Sequence, residues 1–205
     1  NASTKWGFFP SASIGYHISK EPFWDSVEDL ISLNYFKIRA SYGTLGNQNV
    51  PNYPYLPIIG INTNSRWIEG NVRPNYAINP DLISSTLTWE SVKTFNIGFD
   101  AGLFDNRLNV TFDWFNRKTT DMYGPAESLP SVLGTSPSQE NNAEMETKGF
   151  EFIASWNDNI TSDLNYGIEI ILGDHKSTIL KYRNPDKYLR NWYEGAVVGE
   201  IWGYE

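Results

Sequence analysis

From Phe95 to Leu103 the chain alternates without a break. Phe95, Ile97, Phe99, Ala101 and Leu103 share one parity, while Thr94, Asn96, Gly98, Asp100 and Gly102 take the other. Past Phe104-Asp105-Asn106-Arg107 the alternation resumes, with Leu108, Val110, Phe112 and Trp114 set against Asn109, Thr111 and Asp113. A period of two sends successive side chains to opposite faces of a sheet. The pattern therefore predicts a hairpin over 87–121, turning tightly at Asp105-Asn106, with one apolar face and one small, polar or charged face. Its strands exceed the usual five or six residues.

The same signal recurs along the chain. Ala12, Ile14, Tyr16 and Ile18 predict a strand over 9–18, which the proline of Glu21-Pro22-Phe23-Trp24 breaks. Val27, Leu30 and Ile31 have helical spacing, enough for a turn or two within a connection. Phe36, Ile38, Ala40 and Tyr42 predict a strand over 35–45. Phe150, Phe152, Ala154 and Trp156 predict one over 148–156, with a short turn starting at Asn157. Leu164, Tyr166, Ile168, Ile170 and Leu172 predict its return strand, after which the pattern fades. Two long connections, 50–86 and 122–147, are rich in proline and read as structureless loops.

Tight turns and long loops thus alternate between the two ends of the strands. That asymmetry, with dyad-repeat strands and terminal aromatics, is the signature of a transmembrane β-barrel with short periplasmic turns and long extracellular loops. Six strands are too few for even the smallest outer-membrane barrel, so the expectation is an antiparallel arc of a larger one. On this reading Phe95, Ile97, Phe99, Leu103, Leu108, Val110, Phe112, Phe150, Phe152 and Ile168 face lipid, and the polar parity lines a wet lumen.

Composition sharpens this. The 205 residues include 8 Trp and 12 Tyr, side chains suited to a membrane interface. The net charge of −8 argues against nucleic acid as a partner. There is no cysteine, which excludes disulfide scaffolds and thiolate metal sites. No apolar run reaches the length of a transmembrane helix, which leaves a β-barrel open. A secreted, aromatic-rich β-sandwich that binds carbohydrate is the competing architecture, with the apolar faces buried between two sheets. The chain begins at Asn1 and ends within Gly199-Glu200-Ile201-Trp202-Gly203-Tyr204-Glu205, so it is expected to be a piece of a longer protein.

Candidate chemistry is sparse. His17 and His175 read as solvated side chains, the latter in a loop, and no catalytic residue, metal site or cofactor is expected. Glu140, Glu144, Glu146 and Glu151 cluster near one strand, and Glu144 and Glu146 share parity. A glycosidase needs two such carboxylates at a set separation, but a solvated strand entrance needs nothing more. Tyr53, Tyr55, Arg66 and Trp67 offer aromatic platforms beside hydrogen-bonding groups, suited to stacking on a sugar or peptide.

Several stretches, in order, resemble the barrel of SusC/RagA-type TonB-dependent outer-membrane transporters. They are Trp6-Gly7-Phe8-Phe9-Pro10-Ser11-Ala12-Ser13-Ile14-Gly15-Tyr16, Phe36 to Gly43 with Gly46-Asn47, Leu87 to Glu90 with Lys93 to Asp100, Leu108 to Phe115, and Asn142-Ala143-Glu144-Met145-Glu146-Thr147-Lys148-Gly149-Phe150-Glu151. Gly199 to Tyr204 resembles a further motif nearer the family's C-terminus. The resemblance implies that residues 1–205 form part of one 22-stranded barrel domain in the outer membrane of a Gram-negative Bacteroidota bacterium. It implies a SusD-like surface lipoprotein as partner, a glycan or peptide substrate, and transport without covalent chemistry. It also implies that TonB acts through an N-terminal plug outside this chain, as are the remaining strands.

Overall fold

The computed structural model describes residues 6–24, 32–48, 56–63, 66–80, 82–84, 87–124, 132, 139–189 and 191–203. Eight strands occur among them: β1 (Ser11–His17), β2 (Leu33–Asn47), β3 (Gly60–Asn62), β4 (Tyr76–Ile78), β5 (Glu90–Leu103), β6 (Leu108–Gly124), β7 (Glu140–Thr161) and β8 (Leu164–Lys181). One antiparallel sheet runs β1-β2-β5-β6-β7-β8, and β3 and β4 form a separate pair. The large sheet is open at β1 and β8, so no barrel closes within it.

Register is set by the turns. Leu103 pairs with Leu108 across the tight turn, which sets Phe99 opposite Phe112 and Ile97 opposite Trp114. Phe112 then faces Phe152, Trp156 faces Ile168, and Ile38 faces Phe99. One apolar face results, continuous across all six strands. Rings contact from strand to strand along it. Trp24 stacks on Phe36 at 5.6 Å, Phe36 meets Phe99 at 5.9 Å, Phe99 stacks on Phe112 at 5.7 Å, and Phe112 stacks on Phe150 at 6.3 Å. Each such pair adds about 0.5–1.5 kcal/mol beyond its area.

The Phe104–Arg107 turn is unusual. Phe104, Asp105 and Asn106 all have φ near the left-handed region, at 55, 55 and 61°. Asn and Asp tolerate this, whereas Phe does so only under constraint. The constraint is visible: Phe104 N–H donates to the Ser32 carbonyl at 2.9 Å, and Asp105 N–H to Asn34 Oδ1 at 2.8 Å. The Phe104 ring lies 6.0 Å from Trp156, whose indole N–H donates to the Tyr166 hydroxyl at 3.2 Å. These aromatics rim the apolar face at its tight-turn end.

Several strands outrun their sequence signal. β7 starts at Glu140 and runs 22 residues to Thr161, so the turn expected at Asn157 falls instead at Ser162-Asp163. β8 continues past Leu172 to Lys181, which puts His175 in a strand and not in a loop. β6 extends to Gly124, so the connection expected over 122–147 shrinks to 125–139. The reason is common to all three: beyond the apolar belt the residues are mostly polar and the few apolar ones do not continue its alternation, so the period vanishes while ladder pairing persists. The 50–86 connection is not structureless either, since β3 and β4 pair within it. The link from β1 to β2, at the tight-turn end, is longer than a hairpin turn and carries 3-10 turns at Ile18–Lys20 and Pro22–Trp24. The helical turn expected around Val27 to Ile31 lies outside the described residues.

Candidate functional site

The polar face is held together by an ion-pair network that spans three strands. Arg39 on β2 grips Asp100 on β5 with two bonds, Nε to Oδ2 at 2.8 Å and Nη2 to Oδ1 at 3.0 Å. The same Nη2 donates to Asp113 Oδ2 on β6 at 3.0 Å, and the Thr111 hydroxyl donates to Asp100 at 3.3 Å. The planar guanidinium suits this fork as a lysine would not. Gly98 makes room for it: a Cβ there would lie 2.5 Å from the Phe112 carbonyl oxygen and collide with the Asp113 carboxylate. Asp113 Oδ1 has no hydrogen-bond partner among the described residues. Beside the network, Ser13, Gly15, Lys37, Ser41 and Asn96 help line a shallow groove of about 270 Å³. His17, expected to be solvated, instead shares a hydrogen bond of 3.1 Å with the Tyr35 hydroxyl. The face is less polar farther on, where Ile153 pairs with Ile171.

Gly149 has a comparable role on β7. A Cβ there would come within 2.6 Å of both the Phe115 ring and the Asp174 carbonyl oxygen. Gly149→Val is expected to cost roughly 1–3 kcal/mol through overpacking. The check is thermal unfolding of the detergent-solubilised full-length protein. Phe115→Ala in the same chain should recover part of the loss.

At the loop end, a small core forms where residues beyond β8 fold back. Ala143, Ile179, Tyr182 and Ala196 are buried, with Met122, Met145, Trp192 and Tyr193 packed against them. Ile179 N–H donates to the Ala196 carbonyl and Gly195 N–H to that of Ile179, both at 2.9 Å, so this segment adds to the free edge of β8. Asn184 closes the intervening loop. Its amide donates to the Tyr188 and Trp192 carbonyls and its Oδ1 accepts from the Tyr188 N–H, at 2.9–3.1 Å. Periodicity gives no sign of this core, because Tyr182 and Ala196 come from beyond β8 and Ala143 and Ile179 stand among mostly polar strand residues.

Of the aromatic platforms, Tyr53 and Tyr55 lie outside the described residues. Arg66 and Trp67 precede a tight turn in which Glu69 and Val72 exchange backbone bonds around Gly70, and Trp67 is 64% exposed. Glu144 and Glu146 do share a face, yet each is held by a lysine. Lys118 Nζ lies 3.1 Å from Glu144 and Lys148 Nζ 2.9 Å from Glu146. The residues expected to face lipid all lie on the apolar face. That face has no second sheet over it among the described residues: Ile14 is 72% exposed and Ile168 59%. A sandwich would bury such side chains.

Comparison with known proteins places this geometry. The family described as TonB dependent receptor-like, beta-barrel matches residues 1–196. TonB-dependent receptor P3 of Formosa agariphila is 29% identical over 99% of this chain and 21% of its own length. TonB-dependent receptor SusC of Bacteroides thetaiotaomicron is 25% identical over 89% of this chain and 18% of its own. Among solved structures, that of the RagAB peptide transporter superposes with a TM-score of 0.71 at 22% identity, covering 89% of this chain and 19% of that one. The chain thus spans about a fifth of the length of these relatives.

Proposed function

This chain belongs to the TonB-dependent receptor-like β-barrel family, among the SusC/RagA-type transporters of the bacterial outer membrane, and we propose that its sheet is an arc of the wall of a nutrient importer. Members of this family transport and do not catalyse. The observation that carries the proposal is the division of one sheet into an apolar face and an ion-paired face. Phe95 to Leu103 gives an apolar stretch about 26 Å long at roughly 3.3 Å per residue, which at the roughly 35–45° tilt of barrel strands covers about 19–22 Å of the roughly 25 Å outward band of a membrane barrel. That face, with Leu108, Val110, Phe112, Phe150, Phe152 and Ile168, meets lipid. The Arg39 network faces the lumen, where a plug would sit, and the Asp113 oxygen is left to accept a bond from whatever fills it.

The importer is a barrel of 22 strands that takes up glycans or peptides with a SusD-like surface lipoprotein. TonB supplies the drive through a part of the protein beyond this chain. Tyr53, Tyr55, Arg66 and Trp67 stand in the long connection at the extracellular mouth and stack on the substrate. The test is uptake by cells that carry or lack the full-length protein, offered labelled oligosaccharides and labelled oligopeptides. One class should enter only when the protein is present. Equal entry of both classes with and without it would remove the importer reading.

A further inference from the structure

The apolar face ends abruptly toward the long connections, where four lysines, with Glu144, Glu146 and Asp174 among them, take its place. Lys93, Lys118, Lys148 and Lys176 all lie on the parity of the apolar residues, one or two pairs beyond Phe95, Trp114 and Phe150. The register sets Lys93 directly opposite Lys118 on β5 and β6, and Lys148 directly opposite Lys176 on β7 and β8. Like charges directly opposed across a ladder are destabilising. The protein's own carboxylates answer only half of this. Glu144 takes Lys118 and Glu146 takes Lys148, with Asn116 donating to Glu146 at 3.0 Å. Lys93 and Lys176 have no ion pair among the described residues. They flank the group, three inter-strand spacings apart and staggered by two residues, or about 16 Å. At the opposite end of the same face the rim is aromatic, and Arg107 is paired with Asp158 at 3.3 Å.

We propose that Lys93 and Lys176 are a docking surface for the phosphate groups of a phosphorylated glycolipid in the outer leaflet, whose acyl chains lie on the apolar residues below. The inference rests on the lipid-facing reading of that face. Charge complementarity just beyond the apolar belt supports it. The headgroup layer begins where the apolar belt stops, and that is where two opposed lysine pairs each hold one lysine without an ion pair among the described residues, with Asp174 two positions from Lys176 on the same face. An anionic headgroup relieves both repulsions at once. A lysine near an anionic membrane surface gains from such contact, and the long lysine stem can lie along the apolar belt while its ammonium reaches the headgroup.

The test uses the full-length protein in nanodiscs containing either diphosphoryl lipid A or the same lipid dephosphorylated. The readout is lipid retained per protein after detergent exchange, by native mass spectrometry. The wild type should retain the phosphorylated lipid preferentially. Removing each lysine, in K93Q and K176Q, should lower that preference roughly fivefold. Arg117→Gln, at the same height on the opposite face, should leave it unchanged. Equal retention of the two lipids, or a K93Q/K176Q double variant that behaves as wild type, would overturn the proposal. Phe99→Arg leaves every lysine in place and gauges the underlying reading. If it assembles normally, the face does not meet lipid and both readings fall. If it fails to assemble while K93Q/K176Q retains lipid as wild type does, only the lysine site is lost.

Discussion

Phe99→Arg is expected to weaken barrel assembly by about 2–4 kcal/mol, the cost of an arginine facing lipid near the bilayer midplane. Phe99 sits midway along the ring ladder, 5.9 Å from Phe36 and 5.7 Å from Phe112, so the variant loses two ring contacts as well. Phe99→Ala isolates that packing loss, and the difference between the two variants is the cost of the charge. The measurement is the fraction of full-length protein recovered folded in the outer membrane, together with its unfolding in detergent. Asn96→Arg, on the opposite parity, should be far milder, because a wet lumen solvates it. Equal behaviour of the Phe99 and Asn96 variants would reverse the assignment of the faces.

The second large effect is expected at Arg39. Its guanidinium bridges Asp100 and Asp113, whose side chains are 26% and 16% exposed. Arg39→Met leaves the two carboxylates on neighbouring strands without their shared cation. The loss should be about 2 kcal/mol, in the range for hydrogen bonds to charged groups. It is less than for a fully buried pair because water reaches this face. Arg39→Lys should recover only part, since an ammonium cannot grip Asp100 with two bonds while holding Asp113. Arg39→Met combined with Asp113→Asn should be more stable than the single arginine variant, because one of the stranded charges is gone. Chemical denaturation of the solubilised protein resolves these differences. Strict additivity of the two substitutions would show that the groups do not interact.

The faces were legible in the sequence and the pairings between strands were not. Phe95 to Leu103 declares its two sides by alternation alone, and each residue assigned there to the apolar side lies on the apolar face of the sheet. The tight turn also fixes the β5–β6 register, so Gly98 opposite Asp113 could have been read from the hairpin. Arg39 could not, because its strand joins β5 only after a long connection that sets no register by itself. The strand ends were lost for a physical reason. Beyond Phe150 and Leu172, toward the long connections, β7 and β8 are mostly polar, and the buried Ala143 and Ile179 are too isolated to set a hydrophobic period. Backbone pairing continues regardless, through Lys148 opposite Lys176 and Thr147 opposite Ser177, whose hydroxyls lie 2.8 Å apart. The loop core around Tyr182 and Trp192 carries no periodic signal, since Asn184 and edge pairing to β8 hold it in place.

The most direct test of the central claim is a cysteine scan from position 95 to 103 of the full-length protein in the outer membrane, with a nitroxide at each site. Relaxation by oxygen, which concentrates in lipid, is compared with relaxation by a water-soluble nickel chelate. A barrel wall predicts a strict period of two, with oxygen dominant at positions 95, 97, 99, 101 and 103 and weak at the positions between them. Loss of the period, or nickel dominant at position 99, would contradict an arc of a membrane barrel.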